Sequence, residues 1–288
     1  MKNSIATGKN RGLKGYTPAT NIVSYIVMVF IVIISLFPII WLVISSFKTN
    51  IEILESAFSW PQTPSWTGYA QAIEISKIQY RYITSLIVSC SATSLALLVF
   101  SMAGYVLGRF RFKGRGLIFG VLISSMLVPS EAMIQPIYQM AFILNIYDTK
   151  FILILVYTAF AMATCLFLLR NSFTDIPKEL EEAAYLEGAS FNRTFLSVML
   201  PLAKPALMSA AVLTFINCWN ELLYAMLLTS RESNRTLPLM VKYFTSSFSF
   251  NYPAMFAALV MYIAPSVFIY IVLQEQVMSS MVTGAIKG

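Results

Sequence analysis

Histidine is absent from the 288 residues, and charge is scarce, with Asp, Glu, Lys and Arg together making up 11% of the chain. The first absence removes the commonest general base. Cysteine is also sparse. Cys90, Cys165 and Cys218 sit inside apolar runs with no CxxC spacing, which argues against a structural zinc site or a thiol catalyst. Buried cysteine acting as a small hydrophobe accounts for all three. No G-x-x-x-x-G-K-[ST] run occurs, so the chain lacks the phosphate loop that binds ATP.

The charged share is about half that of a typical soluble domain, whereas 58% of residues are hydrophobic and the mean hydropathy is +0.72. Such a chain is solvated largely by lipid. Twelve Pro and twelve Gly fit transmembrane helices. The net charge of +7 does not point to nucleic acid, because membrane proteins concentrate Lys and Arg in cytoplasmic loops.

A helix needs about 20 apolar residues to cross the hydrocarbon. Charge-free or nearly charge-free stretches at 22–47, 83–107, 151–169, 206–228 and 253–273 meet that length, and Pro265 is placed to kink the last. The first is too long for a signal-peptide core and no small-x-small cleavage site follows it, so it reads as a retained helix. A weaker span covers 117–144, where Pro129, Ser130 and Glu131 interrupt the apolar run. A broken helix lining a cavity explains polar residues at that depth; the alternative is a helix that ends at Pro129.

Six spans with the N-terminus inside place thirteen Lys and Arg on the cytoplasmic side and seven outside. The cluster Arg109, Arg111, Lys113 and Arg115 is the strongest local indicator. Both termini are then cytoplasmic, with a segment at 1–21 before the first span and a tail at 274–288 after the last. Of the two outer loops, 48–82 contains Trp60 and Trp66 and is expected to be partly ordered at the interface. The other, 229–252, carries little pattern.

The longest cytoplasmic loop, 170–205, is the informative one. Asp175 can cap a helix, Pro177 suits a first turn, and 178–186 is rich in helix formers. Leu180, Ala183, Ala184 and Glu187 recur at i, i+3, i+4 and i+7, placing both alanines on one face. Gly188 can end the helix in the left-handed region, Ser190 can cap a second short helix, and Pro201 can end that one. Residues 175–188 hold five acids and one lysine. The anionic inner leaflet repels such a helix, and alanines leave room for another surface, so a docking helix for a separate protein fits better than a lipid-bound one.

Residue identity sharpens this reading. Glu182-Ala183-Ala184, then Gly188, then Leu200-Pro201, with Ile176 to Glu181 before them and Pro205 after, resembles the EAA loop of ABC importer permeases. Ser46-Phe47-Lys48-Thr49, Gly108-Arg109-Phe110-Arg111-Phe112, Trp219-Asn220-Glu221 and the terminal Thr283 to Gly288 are similar to maltose-type carbohydrate permeases in particular. Two departures stand out: Glu187 replaces a customary Asp, and 276–281 lacks the customary basic and aromatic residues.

The resemblance implies an all-α, polytopic transmembrane bundle of six spans, the type I ABC importer permease fold, in a bacterial inner membrane. It implies a docking role for Glu182, Ala183, Ala184, Glu187 and Gly188 on one of two ATPase subunits. ATP and Mg would be bound there, with no cofactor or metal on this chain. A second homologous permease, an extracellular sugar-binding protein and a sugar complete the expected partners, and the subunit itself is not an enzyme. Asn217, Trp219, Asn220, Glu221 and Tyr224 are candidates to line the pathway or to bond between helices. The rival class is an ion-coupled carrier, for which only Glu131 and Glu221 are available as buried relay carboxylates. A membrane enzyme lacks any paired catalytic signature, and a purely structural subunit leaves the charged loop unexplained.

Overall fold

The computed structural model describes residues 18–244 and 250–285. Most of the expected N-terminal segment and the last three residues of the tail lie outside the described residues. The order is helical: α1 (Pro18–Ser45), α2 (Asn50–Glu55), α3 (Thr67–Ser76), α4 (Ile78–Arg109), α5 (Arg115–Ser124), α6 (Ile134–Ile143), α7 (Lys150–Asp175), α8 (Lys178–Leu186), α9 (Phe191–Thr194), α10 (Leu200–Leu202), α11 (Lys204–Asn220), α12 (Leu223–Leu228) and α13 (Tyr252–Ala285).

Among the described residues, four helices are long and apolar enough to cross a membrane unbroken: Ile22–Ser45, Ile78–Arg109, Lys150–Asp175 and Tyr252–Val272. Two further stretches are bent pairs, Arg115–Leu127 with Ser130–Ile143 at 97°, and Phe191–Leu202 with Lys204–Asn220 at 76°. Counting each pair once gives six. The third span is thus broken where Pro129 begins an extended step.

Lipid tails are as apolar as leucine, so helices in a membrane associate through close packing and hydrogen bonds. The centre of the bundle shows this at α4 and α7. The inward stripe of α4 is built largely of small residues, including Ser85, Ser89, Ala92 and Ala96, all buried. Near its end Gly104 and Gly108 are spaced as GxxxG, and a Cβ on either would stand 3.0 Å from the Arg170 nitrogen or 3.1 Å from its oxygen. Only glycine lets the two backbones approach this closely. In contrast, 6% of the apolar window of α1 is buried, so lipid or another chain covers it.

At the other end of α4 the connecting segments are fastened by charges. Lys48 is buried, and its Nζ donates to the carbonyls of Ser56 and Ala57, both at 3.1 Å. Arg81, also buried, bonds the Ser76 carbonyl at 2.7 Å, pairs with Glu232 and lies 4.4 Å from the centre of the Tyr243 ring. Residues 229–244 after α12, nearly patternless as sequence, are therefore tied to the bundle. The Leu237 amide donates to Ser85 Oγ at 2.7 Å, and the amides of Ser230 and Arg231 donate to Asp148 Oδ1 at 2.8 and 3.0 Å.

Several local expectations need correction. Asp175 closes α7 instead of capping α8, whose N-cap is Pro177. The loop is accordingly shorter than 170–205, since α7 continues through Asp175. The helix begun at Ser190 runs through Leu202, one residue past Pro201, and the bend falls at Ala203. The fifth span is not continuous over 206–228, because the backbone turns extended at Glu221 and restarts as α12. The last helix continues past 273 to Ala285.

Candidate functional site

Helix α8 spans the EAA-like stretch, and its inner face is set by a buried ion pair. Glu181 turns toward the body, where its carboxylate accepts from Arg109 Nε at 2.6 Å and from the Tyr105 hydroxyl at 2.5 Å. The Arg109 and Glu181 side chains are 4% and 11% exposed. Arg109 also donates to the carbonyls of Ile176 at 2.7 Å and Phe173 at 3.3 Å, the last turn of α7, where unpaired carbonyls favour a cation. One guanidinium thus joins the ends of α4 and α7 to α8. The Tyr105 ring packs among Phe110, Phe173, Phe191 and Phe195, with centroids 5.1–5.5 Å away.

The alanines do not share one environment. Ala184, three residues after Glu181, is buried with it, whereas Glu182, Ala183, Glu187 and Gly188 are exposed. The buried face is set by the ion pair, and of Leu180, Ala183, Ala184 and Glu187, grouped on one face by their spacing, only Ala184 turns inward. Gly188 has φ +80° and open space around its α-carbon, which suits glycine and ends α8 abruptly. Ser190 accepts from the Arg193 amide at 3.4 Å and starts α9. Leu186 is 90% exposed, the most exposed large apolar side chain among the described residues.

The second feature is a cavity of about 710 Å³ between the broken third span, α7 and α11. Asn217 and Glu221, four apart and on one helical face, both line it, with Cys218 between them. Glu221 is also the device that restarts the helix. Its carboxylate accepts from the amides of Tyr224 at 2.7 Å and Ala225 at 3.0 Å and from the Tyr157 hydroxyl at 2.6 Å. An ionised cap on a helix N-terminus is favoured by the dipole, and three donors offset its desolvation. Tyr224 donates to the Ser130 carbonyl at 2.6 Å and packs against Phe160 at 5.0 Å, tying α12 to the break in the third span.

Trp219 and Asn220 point elsewhere. The Trp219 indole donates to the Tyr262 carbonyl at 3.4 Å, and Asn220 accepts from the Tyr262 hydroxyl at 2.5 Å. Those two residues bond α11 to α13, so the five pathway candidates divide between two faces. Sequence reasoning missed Arg109, Tyr105 and Glu181 as a unit, and Tyr157 and Phe160 as cavity wall. The opposed charges of 109–115 and 175–188 were the available signal for the first group.

A bundle of membrane-length helices with a polar-lipped cavity between broken spans and a charged helix clamped at one end is the architecture of a solute permease subunit. Comparison with known proteins narrows the class. Residues 100–281 match the family described as binding-protein-dependent transport system inner membrane component. The chain is 32% identical over 254 residues to the sulfoquinovosyl glycerol transport system permease protein SmoH of Agrobacterium fabrum, covering 88% of this chain and 89% of that protein. It is 33% identical over 267 residues to the diacetylchitobiose uptake system permease protein NgcG of Streptomyces coelicolor, covering 92% and 88%. In fold it resembles a bacterial ABC transporter involved in the import of the acidic polysaccharide alginate, with TM-score 0.80 at 22% identity over 91% of this chain and 99% of that one. The chain belongs to the family of inner-membrane components of binding-protein-dependent transport systems, and is a permease subunit of an ABC importer.

Proposed function

We propose that this subunit moves a carbohydrate through the cavity at Asn217 and Glu221, driven by an ATPase that docks on α8. The single observation carrying the docking reading is the division of α8. One face is clamped to the body by Glu181, while Leu186 stands 90% exposed at the tip beside exposed Glu182 and Glu187. Burying such a leucine contributes about 1.5–3 kcal/mol, and the flanking carboxylates suit charge-assisted bonds to a partner. The carbohydrate reading rests on the permeases named above and on a wall offering an amide, hydroxyls and the Phe160 ring. Two ATPase subunits, a second homologous permease and an extracellular binding protein complete the assembly, with α8 and both termini in the cytoplasm.

Glu221 does not serve as an ion relay in this reading. Its carboxylate accepts from two amides and a tyrosine, so it is held in place as the start of α12. The test of docking is Leu186→Asp combined with Glu182→Lys, expressed with the neighbouring transporter genes. ATPase copurification and ATP-dependent sugar uptake should both fall at least tenfold while membrane insertion is unchanged. Normal copurification and uptake would remove α8 from the docking role.

A further inference from the structure

The cavity also carries information about charge. Glu131 and Glu221 both line it, and no Lys or Arg is among its lining residues. The two acids differ in what holds them. Glu221 is fixed by its cap, whereas Glu131 is exposed and accepts one hydrogen bond, from Ser130 Oγ at 3.0 Å. Arg170, on the same helix as the cavity residues Tyr157 and Phe160, lies over the Phe119 ring at 4.2 Å and is not part of the lining. The remaining wall is apolar or neutral, with Phe160 exposed as a flat surface against which the C–H face of a sugar ring can lie.

We infer that this cavity admits uncharged or amine-bearing carbohydrates and rejects those carrying carboxylate, sulfonate or phosphate groups. The inference deepens the transport reading above and rests on it. A cargo anion facing two carboxylates with no cation within the lining meets net repulsion, which the low-dielectric walls of a cleft focus. Neutral hydroxyls can donate to Glu131 and to the Asn217 amide, and an ammonium group is attracted to Glu131. The break in the third span gives Glu131 this position, since it follows directly on Pro129 and Ser130.

The test uses Ala159→Cys, a cavity position, in a chain whose three native cysteines are replaced by alanine, assembled with its full transporter in proteoliposomes. Reaction rates are measured with a cationic trimethylammonium methanethiosulfonate and an anionic sulfonate analogue, each normalised to its rate with free 2-mercaptoethanol. The cation should react at least about tenfold faster than the anion, because a carboxylate on the same cavity wall attracts one probe and repels the other. Adding Glu131→Gln should remove most of that preference. Equal normalised rates, or a preference for the anion, would overturn the inference. The same proteoliposomes are assayed for ATP-dependent uptake of neutral, amino and uronate disaccharides. Uptake of uronate equal to neutral sugar also overturns it, whereas failure to transport any carbohydrate refutes the transport reading instead.

Discussion

Replacing Glu181 by Gln should release α8 from the body without unfolding the bundle. The pair with Arg109 is buried, with 4% and 11% of the side chains exposed, and removing one member of such a pair costs about 3–5 kcal/mol. The lower end applies to Glu181→Gln, because Arg109 keeps its bonds to the carbonyls of Ile176 and Phe173. About 3 kcal/mol corresponds to a change on the order of a hundredfold in a local opening equilibrium. Arg109→Met should cost more, since it leaves the Glu181 carboxylate with only the Tyr105 hydroxyl and strips the end of α7 of its cation. Replacing both members by Met should restore much of the loss, as apolar pairs of similar volume are often nearly neutral substitutes for buried ion pairs.

Hydrogen exchange of the 178–186 amides reads this directly, in nanodisc-reconstituted permease lacking the ATPase. If α8 is the docking helix proposed above, Glu181→Gln should raise the ATP hydrolysed per sugar imported in the full assembly, because a loosened α8 would not carry a displacement to α4 and α7. Exchange within about threefold of wild type in the single variant, or strictly additive losses in the double variant, would refute the clamp.

Two further expectations concern packing and charge. Gly104→Val should depress the thermal midpoint in detergent by an amount equivalent to at least 1–3 kcal/mol, the usual cost of overpacking, because its Cβ would stand 3.0 Å from the Arg170 nitrogen; a midpoint within a degree of wild type would contradict the close crossing. Asp148 should make the far-end loop acid-labile. Burial raises its carboxyl, but the amides of Ser230 and Arg231 and the Asn234 side chain more than offset this and hold it below the usual 3.8. A depressed carboxyl contributes stability that is complete above its unfolded value and is lost as pH falls through its folded value. Proteolysis of 229–244 should therefore accelerate below about pH 3.8 in wild type. In Asp148→Asn it should be faster at neutral pH and nearly flat through that acid window, and an unchanged acid profile would remove Asp148 as the cause.

Much of the frame was legible as sequence, because its signals are local. Apolar runs of membrane length, the interruption at Pro129, the helix at Lys178–Leu186 and the turn at Gly188 all follow from residues within a turn or two of the feature. What escaped depends on partners far along the chain. Apolar spacing put Leu180, Ala183, Ala184 and Glu187 on one face open to a partner, but Ala184 is buried with Glu181, which Arg109, 72 residues away, holds against the body. Likewise Glu221 looked like a polar residue within a continuous fifth span. The backbone turns extended there and the carboxylate restarts the helix by accepting from the Tyr224 and Ala225 amides, while Tyr157, 64 residues earlier, fixes its position. Periodicity reports which positions share a face; it does not report which face a buried charge will claim.

Glu181, buried, and Glu221, half-buried, also suggest how the sites communicate, since α7 lies beside both. Tyr157 on α7 donates to Glu221 beside the cavity, and the last carbonyls of α7 accept from Arg109 beside α8. Between Tyr157 and Phe173 the helix is unbroken, a rod of about 24 Å at the standard rise per residue. Tyr157→Phe cuts this connection at one end only. A hydrogen bond to a charged group contributes about 1.5–3 kcal/mol, so the start of α12 should loosen and sugar uptake should fall severalfold. The exchange rate of α8 and its ATPase association should stay at wild-type values, because the Arg109 clamp is untouched. Loss of ATPase association in Tyr157→Phe would show that the two ends are not separable and that the Arg109 clamp does not hold α8 by itself. Unchanged uptake would show that Glu221 is held adequately by the Tyr224 and Ala225 amides alone.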